Sequence, residues 1–246
     1  MTIPMHPTVS EAWIDDAVRT AHPGYVAVLL AVDGLAPGPT SEHSDRTLAA
    51  AEAHAQETLA GREPHELPEV AAWRDAFLGF GVKPREARSS VEALLRRTGS
   101  GLPRIDSLTD VYNAVSITHL VPIGGEDLAF YDGPARLVVA TGVETFDTVA
   151  DGEPVVQSPS PGEIVWRDDS GVTCRRWNWR QCVRTRLTTS TTTALFIVDG
   201  LGPDAGERAE RAVDDLISHL TVDSPQASFT VRLVTGAGTT GDGAGS

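Results

Sequence analysis

Apolar and polar positions follow two regimes along this chain, helical spacing in the first half and strand-like alternation in the second. Residues 8–19 read as a short helix. The turn at His22-Pro23-Gly24 then leads into 25–32, an apolar run short enough to be one buried strand. Residues 44–59, rich in Ala and Glu and free of Gly and Pro, predict an exposed helix. Pro64 and Pro68 break the chain before another helix at 69–78, which Gly79 and Gly81 close. In 89–97 the pattern is that of a capping box: Ser89 caps, Glu92 reaches back, and Leu94 and Leu95 face the core. Residues 108–116 resume as helix, with Leu108, Val111 and Val115 at core spacing. Beyond Gly124-Gly125 the clearest strands are 136–141, 164–167, 172–177 and 194–198. A last amphipathic helix is expected at 207–220, a last strand at 229–234, and a floppy Gly/Thr/Ser-rich tail at the end. Helices early and strands late predict an α+β class rather than a regular doubly wound sheet.

Charge narrows the possible partners. The chain has 20 basic and 34 acidic side chains, a net charge of −14, which argues against indiscriminate binding to a polyanion. The cations are not spread evenly, however: 83–104 and 164–186 each hold six basic and two acidic residues. If the fold joins these windows, Arg96, Arg97, Arg175, Arg176 and Arg180 make a local basic surface; otherwise both are solvated, ion-paired stretches. No uncharged apolar stretch approaches the roughly 18 residues of a membrane span, and no export signal opens the chain, so a cytoplasmic protein is expected. Cys174 and Cys182 then suit reduced core residues. Without paired Cys or His ligand spacing, and without a glycine-rich phosphate loop, neither metal nor cofactor is expected.

Three segments have compositions that packing alone does not explain. In the 108–116 helix, Asp110, Asn113 and Ser116 recur at i, i+3 and i+6, so a polar stripe either lines a wet cavity or faces solvent. Gly124-Gly125-Glu126-Asp127 reads as a tight turn bearing two carboxylates, open to close approach by a ligand. Strand alternation through 174–181 would set Arg176, Asn178 and Arg180 on one face and Arg175, Trp177 and Trp179 on the other. Guanidinium and amide groups read phosphate or carboxylate, and indoles stack on bases, so a binding surface is favoured over a Trp pair in the core. No nucleophile elbow is present, and His119 reads as a helix-end histidine.

Taken in order, several motifs resemble those of the freestanding B3/B4 domain proteins. They are Trp73-Arg74, Phe80-Gly81-Val82-Lys83-Pro84, Leu102-Pro103-Arg104-Ile105, Tyr112-Asn113-Ala114-Val115-Ser116, Gly124-Gly125-Glu126-Asp127-Leu128, Gly162-Glu163 and Cys174-Arg175-Arg176-Trp177-Asn178-Trp179-Arg180. Those proteins are similar to the tRNA-binding and editing module of bacterial phenylalanyl-tRNA synthetase beta chains. The resemblance implies a single compact domain with a mixed β-sheet core and flanking helices. It places an α/β extension at 1–68, the B3/B4-like domain at 69–234 and a disordered tail at 235–246. As ligand it implies the aminoacylated 3′ end of a tRNA, or an aminoacyl-like small molecule, with no DNA and no membrane. The implied activity is hydrolysis or transfer of the aminoacyl ester, the alternative being a module that only binds.

The match has departures. Tyr112 stands where the synthetase module has threonine, and its histidine and glutamate have no counterparts near Leu128 and Cys182. Asn113, Glu126 and Asn178 are therefore the catalytic candidates. Asp110, Tyr112, Ser116, Gly124, Gly125, Asp127, Arg176, Trp177 and Arg180 are the candidates for substrate binding. Amides and a low-pKa carboxylate predict a rate without inflection near the histidine pKa of about 6.5.

Overall fold

In a computed structural model of the chain, residues 4–235 are described, so the tail beyond them lies outside the description. The helices are α1 (Pro7–Ser10), α2 (Asp16–Ala21), α3 (Glu42–Leu59), α4 (Pro68–Gly79), α5 (Ser90–Leu95), α6 (Ser107–His119) and α7 (Ala205–Asp223). The strands are β1 (Trp13–Ile14), β2 (Val26–Asp33), β3 (Ile123–Asp127), β4 (Arg136–Val139), β5 (Phe146–Ala150) and β6 (Glu153–Gln157). After them come β7 (Ile164–Arg167), β8 (Val172–Arg175), β9 (Arg180–Gln181), β10 (Thr193–Gly200) and β11 (Ser228–Thr235).

An antiparallel sheet ordered β11-β2-β10-β3 divides the interior. Because side chains alternate along a strand, Val28, Leu30 and Val32 of β2 join Phe196 and Val198 of β10 against α6 and α7. Ala27, Leu29, Leu195 and Ile197 face the other way, toward Trp73, Trp166 and Trp177. The second sheet runs β1-β4-β7-β8-β9, antiparallel except for the β1–β4 pair, and β5 and β6 form a separate hairpin. The class is thus α+β with a mixed sheet arrangement, as expected. No sheet boundary falls at residue 68, because β2 lies inside the first sheet between β11 and β10. Among the described residues, no helix is long and apolar enough to cross a membrane.

Three local expectations fail for identifiable reasons. The 8–19 helix divides because the backbone N–H groups of Trp13 and Asp15 donate to Ala135 and Leu137, after which Asp15 caps α2. Gly124-Gly125 is no turn: both glycines lie within β3, where absent side chains make room for neighbours. A Cβ on Gly125 would lie 2.5 Å from Leu187 Cδ1 and 2.9 Å from the Phe196 ring. The Ser89 capping box is also half formed. Ser89 Oγ accepts from Glu92 N–H, but the buried Glu92 carboxylate takes Arg74 at 3.0 and 2.6 Å and Arg96 at 3.1 Å. A carboxylate without solvent needs guanidinium more than a backbone donor does.

The strand expected at 172–177 stops at Arg175. Arg176 and Trp177 both take left-handed backbone conformations, with φ of 48° and 65°, and residues 176–179 form a tight turn into β9. Such conformations cost of order 1–3 kcal/mol each unless the surroundings impose them. Here the buried Glu163 imposes them. Its carboxylate accepts from Arg175 Nε at 2.9 Å and Nη2 at 2.8 Å, and from the Arg176 backbone N–H at 3.0 Å. Gly162-Glu163 and Arg175-Arg176 are therefore two halves of one brace.

Candidate functional site

Where the turn at 176–179 meets the open face of the first sheet, α5 and α6 enclose a cavity of about 250 Å³. That is below the ~300–1,000 Å³ usual for drug-sized ligands and suits a group of amino-acid size. Its apolar wall includes Leu94, Ile123, Trp166, Trp177 and Ile197, and its polar lining includes Asn113, Glu126, Asn178, Arg180 and Asp199. Strand register explains the floor: Glu126 and Gly124 of β3 pair with Leu195 and Ile197 of β10, and Asp199 follows two residues later on the same face.

At one end the buried Glu126 accepts a hydrogen bond from the Tyr131 hydroxyl, whose oxygen lies 3.2 Å from Thr173 Oγ1. Burial drives its carboxyl from 4.5 up to about 7, against the Tyr131 hydrogen bond that pulls it down. Gln181 Nε2 donates to the Gly125 carbonyl at 2.8 Å and fills the space a side chain on Gly124 would take. At the other end Tyr25 donates to Asp199 Oδ1 at 2.5 Å, and Asn178 Nδ2 lies 3.4 Å from Asp199 Oδ2. Burial likewise raises the Asp199 carboxyl to about 7. Trp177 is wholly buried, edge-on to Tyr25 and Trp73 at 4.8 and 5.2 Å.

The expected site residues separate into two groups. Asn113, Glu126, Asn178, Tyr112, Gly124, Trp177 and Arg180 border the cavity, and Gly125 lies directly behind it. Asp110, Ser116, Asp127 and Arg176 do not line it. Asp110 accepts from Ile105 N–H and the Thr40 hydroxyl, and Ser116 donates to the Val121 carbonyl. Asp127 caps a short helical turn through Ala129 N–H and accepts from the Thr191 hydroxyl. Arg176 stacks on Trp179 and donates to the Glu86 carbonyl. Each thus has a partner within the fold. The polar stripe of α6 is neither uniformly wet nor uniformly exposed, since only its middle member reaches the cavity. His119 pairs with Asp215 of α7, outside the cavity.

The five-arginine surface is smaller than expected. Glu163 neutralises Arg175, and Arg96 is bound to Glu92 and Glu63. Arg97 and Arg180 are exposed at the cavity, and among the described residues neither has a carboxylate within ion-pair distance. Arg180 also lies 4.5 Å over the Trp179 ring, with Arg176 at 4.4 Å, so one indole carries two guanidinium groups. Asp199 escaped the sequence reading altogether. It ends an apolar strand, and only pairing with β3 and the fold-back of Tyr25 set it at the cavity.

Comparison with protein families matches the B3/4 domain to residues 72–229. The chain belongs to that family. Comparison with curated proteins gives no match. Among solved structures it resembles an N-terminal fragment of the phenylalanyl-tRNA synthetase beta-subunit from Pyrococcus horikoshii, at 16% identity and a TM-score of 0.45. The match covers 94% of this chain and 53% of that fragment, so the chain spans about half the length of the structure it resembles. All of the cavity lining falls inside the B3/4 region, whereas Tyr25, which holds Asp199 from outside the lining, comes from before it.

Proposed function

We propose that this B3/4 domain chain binds the aminoacylated 3′ end of a tRNA and cleaves or transfers its ester. The observation that carries the reading is the meeting of Glu126 and Asn113 in one cavity of amino-acid size, bordered by the exposed Arg97 and Arg180. In this scheme the aminoacyl group enters the cavity while the two guanidinium groups hold the terminal phosphates. Ionised Glu126 takes a proton from water, or from an amine or hydroxyl acceptor, as the oxygen or nitrogen attacks the ester carbonyl carbon. Asn113 donates to the developing oxyanion. The bond to the ribose oxygen then breaks, and that oxygen leaves with the proton held on Glu126.

A carboxyl titrating near 7 suits such a base, because it is ionised in part and still basic; Asp199 shares that range, but Tyr25 and Asn178 already engage both of its oxygens. The deciding assay incubates the protein with a panel of labelled aminoacyl-tRNAs, with and without an amine acceptor. Release or transfer of the label above the buffer rate, lost in Glu126→Gln, is expected. Retention of every tRNA without turnover would leave a module that only binds.

A further inference from the structure

Among the described residues, the buried carboxylates fall into three kinds. Glu92, Glu163 and Asp168 are each matched by guanidinium groups. Asp110, Asp127 and Glu144 accept backbone N–H groups, supplemented by hydroxyls. Glu126 and Asp199 have neither: only neutral side chains serve them, Tyr131, Thr173 and Gln181 at Glu126 and Tyr25, Asn178 and the Trp166 indole at Asp199. Both border the cavity. Burying a carboxylate without cation or backbone donor is costly, so the fold maintains two acids without charge compensation, one at each end of the same cavity.

The Asp199 end has a second open valence. Asn178 is 7% exposed, and its Oδ1 has no hydrogen-bond partner while its Nδ2 faces Asp199 Oδ2. The reverse amide orientation would set two acceptors against each other, so Oδ1 is the atom left free. An acidic side chain and an amide with an orphaned oxygen are thus neighbours in the lining, beside Trp177 and Trp166. The indole N–H groups of Trp166 and Trp177 are donors in the same wall, but the carboxylate charge, the free amide oxygen and the aromatic faces together favour a group that carries several donors and a positive charge.

We propose that Asp199 and Asn178 Oδ1 form a subsite for a ligand's ammonium group, so that the cavity selects acyl groups bearing a free protonated amine. The subsite extends the aminoacyl reading, on which it rests for the identity of the ligand. The amine is the α-ammonium of the aminoacyl group or an ammonium on its side chain. Asp199 in this assignment binds and orients, and Glu126 acts at the other end of the same sheet face. Trp177 holds the wall in place through its contacts with Tyr25 and Trp73.

The test uses the full chain and ligands that cannot be cleaved. Benzylammonium and benzyl alcohol, matched in shape, report on the subsite without any nucleotide. Adenosine carrying a leucyl, Nα-acetyl-leucyl or Nα-acetyl-lysyl group through a 3′ amide reports on the aminoacyl reading and on which amine is held. Calorimetric titration of wild type at pH 8 should show benzylammonium preferred over benzyl alcohol by about tenfold or more, the size of a charged hydrogen-bonded contact. The preference should fall to within twofold in Asp199→Asn, and also in Asn178→Leu, which keeps the protein informative if either variant folds poorly. Preference for leucyl over its acetylated form assigns the α-amine, and preference for Nα-acetyl-lysyl assigns the side chain. Equal binding of benzylammonium and benzyl alcohol, or a preference that survives in both variants, overturns the subsite whatever the adenosine probes do. Ammonium preference with no binding of any adenosine probe retains the subsite and removes the tRNA reading.

Discussion

Replacing Glu126 with glutamine should stabilise the folded protein at alkaline pH while it abolishes turnover. The side chain is 1% exposed, and its carboxyl titrates at about 7 instead of 4.5. Because the folded-state pKa is the higher one, the folded protein holds a proton that the unfolded chain has released between those two values. Stability therefore falls as pH rises through that window and levels off above it. Integrating the two titrations gives a cost of about 3 kcal/mol at pH 8 and less than half of that at pH 5.5. Glutamine keeps an oxygen that can accept from Tyr131 and carries no charge to desolvate. Allowing for imperfect repacking, a gain of about 1–3 kcal/mol is expected at pH 8, or roughly 3–10 °C in melting temperature for a chain of this size. The gain at pH 5.5 should be less than half as large. Thermal melts at both pH values, beside single-turnover deacylation, make the measurement. A variant that melts below wild type at pH 8, or gains equally at both pH values, would refute the claim that an uncompensated carboxylate is held there. Unchanged turnover in a stabilised variant would remove Glu126 from the chemistry.

Other outcomes follow from the same geometry. Deacylation by wild type should rise with pH through about 7 as Glu126 ionises, which corrects the flat profile expected from a low-pKa carboxylate; a pH–rate curve checks this. Asn113→Ala should lower the rate by about 10²–10³, and His119→Ala should leave it within a factor of two, since His119 pairs with Asp215 outside the cavity. Glu163→Ala should cost about 3–5 kcal/mol in a denaturant titration, because Arg175 is left buried without its anion. Gly125→Ala should cost about 1–3 kcal/mol through overpacking against Leu187 and Phe196, also readable by denaturant titration.

How far the sequence could be read depended on whether a residue's partner was near it in the chain. Periodicity was enough for β10, α7 and β11, whose apolar spacing reflects burial on one regular surface. It failed where a distant partner overrode local preference. Trp13 and Ile14 leave the helical regime because β4 offers them a strand edge. Alternation through 174–181 could not anticipate Glu163 drawing in both Arg175 and the Arg176 backbone, which folds the strand into a turn and moves Trp177 inward. At the cavity, Asn113 and Glu126 stood out because polar or acidic residues are odd within their elements. Asp110, Ser116 and Asp127 are just as odd, yet each satisfies a backbone group, and a sequence does not distinguish an internal hydrogen bond from one kept for a ligand. Asp199 shows the converse, a cavity residue with no unusual neighbours in sequence.

The position of β2 has a consequence for where this protein begins as a physical object. The B3/4 match begins at residue 72, yet the strand that joins β10 to β11 lies at 26–33. A fragment begun at residue 72 would leave β11 without its hydrogen-bonded neighbour and expose one edge of β10 along its whole length. It would also remove Tyr25, the hydroxyl that holds Asp199. The cooperative unit is therefore larger than the matched stretch: residues 72–229 complete their sheet only with a strand that precedes them.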